Sequence, residues 1–160
     1  MSTIRLGKTE DIETIFAIRM SARDNDIDRE QLATLDVTEE SIRERLAASP
    51  CLWIAEDGGK ALGFSMADRK EGSLFALFVR PQHEARGIGT QLLAHAETFL
   101  FAEHERIWLE TNGQSRAAQF LIRRGWQPRK RIEHSHIIRF TKNRSHTLQA
   151  TSKASDLPTA

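Results

Sequence analysis

The chain has 160 residues, with 23 Lys and Arg balancing 22 Asp and Glu to a formal charge of +1. That length suits one domain with a real core, and so small a net charge creates no field that demands nucleic acid or a membrane surface. A single cysteine, Cys51, excludes an intrachain disulfide. The opening "MSTIRLGKTED" has no signal-type apolar core and no run approaches the length of a membrane span, so a cytoplasmic protein is expected.

The elements alternate along the chain. "STIRL" reads as a short strand. Thr9 precedes two acids, as a helix cap would, and Ile12, Ile15, Phe16 and Met20 recur at helical spacing. "RDNDIDREQ" is polar and loop-like. Val37-Thr38 followed by Ile42 has the layout of a capped helix with a hydrophobic staple, over 38–48. "CLWIAE", "DGGK" and "ALGFSMA" read as strand, tight turn and strand, and "LFALFV" as a strand buried on both sides. Ile88, Leu92, Ala96 and Phe99 form a helix stripe before the strand "RIWLET". An intervening helix makes "LFALFV" and "RIWLET" parallel neighbours. The helix "SRAAQFLIRR" closes at Gly125, "RKRIEHSHIIRF" folds as a hairpin, and 143–160 is polar and unpatterned, a disordered tail.

The stretch "PQHEARGIGTQLL", residues 81–93, places two glycines at the mouth of a helix. It is not a Walker loop, which needs G-x-x-x-x-G-K-[ST]. Nor is it a dinucleotide fingerprint, because Leu92 stands at the third glycine and several residues separate Val79 from Gly87. On their own the glycines mark only a flexible loop-to-helix turn.

In context, "LFALFVRPQHEARGIGTQLL" resembles the acetyl-CoA motif of the GCN5-related N-acetyltransferase (GNAT) superfamily: an apolar strand, a proline, then [RQ]-x-x-G-x-[GA] opening a long helix. Downstream, "ETNGQSRAAQFLIRRGW" is similar to the family's N-x-x-A-x-x-F-Y-x-x-x-G-F segment, with Ala117, Phe120, Gly125 and Trp126 matching. The resemblance spans roughly residues 3–141 and implies an α/β (α+β) fold. Its single GNAT-like domain, 1–142, would have a mixed, mostly antiparallel central sheet flanked by helices, with two central parallel strands splayed to admit coenzyme A. It implies acetyl-CoA as cosubstrate. The contacts it carries over are Phe78 and Val79 at the strand end, Glu84, Ala85, Arg86, Gly87, Ile88, Gly89 and Thr90 in the cradle, and Asn112 and Phe120 beside the cofactor arm. Backbone N–H groups at a helix N-terminus suit a pyrophosphate, and Arg86 adds a charge-assisted contact.

Three departures stand out. Glu84 replaces the family's Arg or Gln and would turn outward or pair with Arg86. Gln114 replaces Asn. Leu121 replaces the tyrosine that is the family's usual general acid, and the chain contains no tyrosine at all. Acyl transfer to an amine needs a neutral amine, an oxyanion donor and a proton for the leaving thiolate. A backbone N–H near Phe78 is the expected oxyanion donor, and Glu71 and Glu110 are the candidate bases, with Asp68 behind them. The acceptor is a small-molecule or protein amine. Asp24, Asp26 and Asp28, between the first helices, would suit a cationic one.

Other residues receive plainer readings. His134 and His136 lie in a hairpin turn with no third ligand near, so no metal site is expected. Cys51, Trp53 and Trp108 read as core. The basic run 123–131 is a solvated face, so nucleic acid is not the expected partner; a homodimer is allowed for. The sequence thus points to an N-acetyltransferase that uses direct attack. The alternatives are a CoA-binding regulatory module without catalysis and a nucleic-acid-binding module acting through 123–131.

Overall fold

In the computed structural model, residues 2–21, 29–34, 37–84 and 86–145 are described. Seven strands form one sheet in the order β1-β2-β3-β4-β5-β7-β6. The strands are β1 (Thr3–Leu6), β2 (Leu52–Asp57), β3 (Lys60–Asp68), β4 (Ser73–Val79), β5 (Arg106–Asn112), β6 (Gln127–Arg131) and β7 (Ile137–Asn143). The helices are α1 (Ile12–Ser21), α2 (Arg29–Thr34), α3 (Glu39–Ala48), α4 (Ile88–Phe101) and α5 (Arg116–Arg123). Every strand pair is antiparallel except β4–β5. The expected architecture is therefore the observed one.

Each local feature has a cause in the sequence. Thr38 caps α3: its Oγ1 accepts from the Ser41 N–H at 3.1 Å, while Ser41 Oγ accepts from the Thr38 N–H at 2.9 Å. Gly58 and Gly59, with φ of 60° and 81°, make the turn between β2 and β3 that only glycine enters freely. Ser115 caps α5 through the Ala118 N–H at 3.2 Å.

Four expectations need correction. The first turn of the α1 segment is a 3-10 turn, Thr9–Asp11, and the Lys8 N–H donates to Asp11 Oδ2 at 2.8 Å, so Asp11 rather than Thr9 secures it. Part of the polar stretch "RDNDIDREQ" is helical, as the start of α2; the acids at 24, 26 and 28 lie outside the described residues. Trp108 is not core. It lies partly exposed beneath the Arg139 guanidinium, 4.0 Å from its ring centroid, and its Nε1 donates to the Glu71 carbonyl at 3.0 Å. Finally β7 runs to Asn143, and the Arg144 guanidinium reaches Glu105 Oε2 at 2.6 Å, so order extends past the expected start of the tail; 146–160 lie outside the described residues.

Two cores sandwich the sheet. On one face Leu92, Leu93, Ala96 and Leu100 of α4 pack with Trp53, Ile107, Leu109, Trp126 and Phe140. On the other, Ile12, Ile15, Phe16 and Ile18 of α1 and Ile42 of α3 pack on Ile54, Phe64 and Met66. The Ser65 hydroxyl donates to the Leu92 carbonyl at 3.0 Å, which ties α4 to the middle of the sheet.

Candidate active site

The site begins with a failure of pairing. β4 and β5 meet in register only at Ser73↔Trp108, where the Trp108 N–H donates to the Gly72 carbonyl at 3.1 Å. Beyond that point toward their C-terminal ends the strands diverge. β4 contributes to this. Its register against β3 passes from Met66↔Ala76 to Ala67↔Leu74, leaving Phe75 as an extra, bulged residue that bends the strand.

Past the bulge β4 stays firmly on β3. The Arg80 N–H donates to the Leu62 carbonyl at 2.8 Å, and partners run in step from Ala76 to Val79. Amides alternate in direction along a strand, so the Phe78 N–H turns toward β3, with Phe64 as its partner residue, while those of Leu77 and Val79 turn into the gap. This moves the expected oxyanion donor by one residue: Phe78 is committed to the ladder, and its neighbours are the amides that face open space.

The cradle stands at the open end of the gap. Gly87, the N-cap of α4, has φ 82° and no side chain, so no cap oxygen covers the first turn. The first intrahelical bond is from Gln91 N–H to the Gly87 carbonyl at 3.1 Å, which leaves the N–H groups of Ile88, Gly89 and Thr90 without helical acceptors. Such an end suits a diphosphate. A Cβ on Gly89 would face Phe120 Cζ at 3.5 Å and Val79 Cγ2 at 3.9 Å, so this helix end, the tip of β4 and α5 converge on one spot.

Arg124, which the sequence reading did not single out, joins this helix end to α5. Its Nε and Nη2 donate to Thr90 Oγ1 at 3.1 and 2.8 Å, and its guanidinium lies 4.2 Å over the Phe120 ring. Arg86 instead donates to His83 Nδ1 at 2.7 Å. Glu84 pairs with Arg116 in the first turn of α5 at 3.6 Å. Ala85 lies outside the described residues. Asn112 is committed to the β5–α5 turn: its Oδ1 accepts from the Gln114 N–H at 2.8 Å. Leu121 is buried in the α4-side core, while Phe120 is the α5 residue that meets Gly89.

The two candidate bases separate. Glu71 is exposed on the turn before Ser73, at the closed end of the strand pair, with its N–H donating to Asp68 Oδ1 at 3.1 Å. Asp68 is held by Arg45 at 2.7 Å. Its burial pushes its pKa up, but the bond and charge of Arg45 together with the backbone N–H bonds from Glu71 and Lys70 outweigh that and keep it below the usual carboxylate value. Glu110 lies past the pairing point, on the diverging part of β5, and accepts from Arg139 Nε and Nη2 at 2.9 and 2.6 Å. Among the described residues no cluster of His, Cys, Asp and Glu is arranged to hold a metal, and no helix is long and apolar enough to cross a membrane. β6, within the basic run, is exposed along its whole length at the sheet edge.

The molecule is thus an α/β fold whose sheet opens between two parallel strands, with an uncapped helix end at the opening. The chain belongs to the acetyltransferase (GNAT) family, whose model matches residues 12–126. A comparison with curated proteins finds no match. Among solved structures it is similar to the PaiA N-acetyltransferase of Thermoplasma acidophilum in complex with coenzyme A, at TM-score 0.73 and 18% identity over 90% of this chain and 99% of that one. It is also similar to the ribosomal-protein-S18-alanine N-acetyltransferase of Escherichia coli, at TM-score 0.66 and 20% identity over 89% and 94%. A GCN5-related N-acetyltransferase of Rhodopseudomonas palustris gives 0.72 and 22% over 90% and 96%. At these identities the likeness is one of fold.

Proposed function

We propose that this protein transfers the acetyl group of acetyl-CoA to a primary amine by direct attack, in the cytoplasm. The observation that carries the reading is the gap between β4 and β5 with the uncapped end of α4 at its mouth. The N–H groups of Ile88, Gly89 and Thr90 would hold the pyrophosphate, with Arg124 bracing Thr90. Acetyl-CoA supplies the thioester. The amine lone pair attacks the carbonyl carbon, a C–N bond forms, and the C–S bond breaks with its electron pair leaving on sulfur. The N–H groups of Leu77 and Val79 face the developing oxyanion. Glu110 takes the amine proton through water, and its position past the pairing point favours it over Glu71. With no tyrosine in the chain and Leu121 buried, the thiolate takes its proton from water or from the acceptor.

That missing acid also supports a second reading, a CoA-binding module without turnover. Thiol release from acetyl-CoA across an amine library separates the two, with CoA affinity measured in parallel by calorimetry. Release with at least one amine supports the enzyme; CoA binding with no release supports the module. Cys51 does not confuse the assay, because its thiol is buried and burial pushes its pKa up.

A further inference from the structure

Arg19 and Arg45 make the same contact on the sheet face opposite α4, and among the described residues only Arg45 adds a carboxylate partner. Arg45, on α3, lies 4.3 Å over the Phe75 ring and is bonded to Asp68 at 2.7 Å. Arg19, on α1, lies 4.4 Å over the Phe78 ring, on the stretch of β4 that borders the gap. Its Nε is buried and has no hydrogen-bond partner among the described residues. Beside it Phe16, Phe64, Phe75 and Ala76 help to line a cavity of about 20 Å³, room for about one water. Among the described residues Arg19 is the one charged residue in that lining.

A guanidinium N–H withdrawn from water without an acceptor is costly, and arginine cannot escape the cost by losing its proton at ordinary pH. Elsewhere in the fold guanidinium groups meet carboxylates: Arg5 with Asp11, Arg139 with Glu110, Arg144 with Glu105. Arg19 has the stacking platform and the apolar walls of a recognition site, and no carboxylate among the described residues is paired with it.

We propose that Arg19 receives the carboxylate of the acceptor, so that the amine acetylated belongs to an amino-acid-like acid. This rests on the acetyltransferase reading above and names its substrate class. The fork of the guanidinium matches a carboxylate in two parallel bonds, and stacking on Phe78 fixes its plane. Apolar walls strengthen that pairing relative to water. With its anion on the α1 side of β4, the substrate directs its amine toward the gap, where the N–H groups of Leu77 and Val79 and the Glu110 carboxylate lie.

The test is thiol release from acetyl-CoA with the free amino acids, each set against its own carboxamide, for wild type, Arg19→Gln and Arg19→Lys. Wild type should prefer the acid by about tenfold or more in kcat/KM for the best side chain, the worth of a good charged hydrogen bond. In Arg19→Gln the ratio of acid to amide should fall toward one through KM, and Arg19→Lys should recover part of it. Peptides beginning with Asp or Glu, run against those beginning with Asn or Gln, tell a free amino acid from a peptide terminus; acid preference in either set supports the assignment. Equal use of acid and amide by wild type overturns it, as does an unchanged preference in a folded Arg19→Gln protein. If no amine releases thiol, the transferase reading fails, and the Arg19 site is judged alone by calorimetry of the CoA-saturated protein with the same amino acids. Binding lost in Arg19→Gln then upholds it, and no binding by wild type ends it.

Discussion

A Cβ added at Gly63 would lie 2.7 Å from the Phe78 carbonyl oxygen and 3.2 Å from Val79 Cα. Both obstacles are backbone, so Gly63→Ala must push β4 at the very residues that border the gap. It should cost about 1–3 kcal/mol in stability, as overpacking does, and weaken CoA binding in calorimetry. Gly89 is different. A Cβ there meets Phe120 at 3.5 Å, an ordinary contact, so alanine is tolerated, whereas Gly89→Val presses on Phe120 and should loosen the cradle in a folded protein. Position 121 shows where residue-level reading stops. The motif spacing puts the missing tyrosine at this position, but which of Phe120 and Leu121 faces the cleft depends on how α5 is rolled, which local spacing does not fix. Leu121 is 3% exposed and packed in the core, so Leu121→Tyr buries a phenol without space or a partner. It should lower stability by about 1–3 kcal/mol without raising turnover, and Phe120→Tyr is the variant that brings a hydroxyl to the cleft.

At the scale of elements, those with local signals were legible. Val37, Thr38 and Ile42 announce the start of α3, and the Asp57–Lys60 turn announces the first hairpin. What the sequence did not show was set by packing between distant parts. β7 inserts between β5 and β6, and α2 forms within a polar run that has no apolar stripe of its own. The partner of Glu84 belongs to this second kind. Arg116 is 32 positions away in the chain and comes near because α5 starts beside the loop that precedes α4. Arg116 also sits in the first turn of α5, where a cation is disfavoured by the helix dipole and Glu84 offsets it. Glu84→Gln removes a negative charge from the cradle mouth and releases Arg116. CoA affinity should rise several-fold at low ionic strength, and the gain should shrink toward 0.5 M salt as the Debye length falls below about 5 Å. An affinity that is flat at both salt levels would place this pair away from the phosphates.

Across the whole molecule, the edge strand β1 is fastened to the α1 side by Arg5, which bridges Asp11 at 2.9 Å and Glu56 at 3.1 Å. The bond from Arg5 holds the Asp11 pKa below its ordinary 3.8 in the folded state. A depressed folded pKa means stability that is present above the unfolded value and lost as pH falls through the folded one. The melting temperature should therefore drop as pH is lowered from about 5 toward 2, and Asp11→Asn should flatten that part of the profile. Arg5 is 37% exposed, so the effect is at most about 1 kcal/mol.

The same whole-molecule view makes the gap a seam. Strands β1 to β4 and strands β5 to β7 share one register pair, Ser73↔Trp108, beside the Trp108 Nε1 bond to the Glu71 carbonyl, and α4 packs across both halves. A ligand lying along the seam binds both halves of the native state and neither half of the unfolded chain, so saturating CoA should raise stability by about 2.7 kcal/mol at a hundred times Kd. The strand phase makes a sharper statement about where that protection appears. The Leu77 and Val79 amides face the gap, and the Phe78 amide faces β3 with the Arg80-to-Leu62 bond in the same phase. Hydrogen exchange followed by NMR should show the Leu77 and Val79 amides slowing when acetyl-CoA or CoA is added. The Phe78 amide should be slow in both states, changing only with global stability. If Phe78 is the amide that gains local protection while its neighbours stay fast, then β4 runs in the opposite phase at the cleft, and the oxyanion role returns to Phe78.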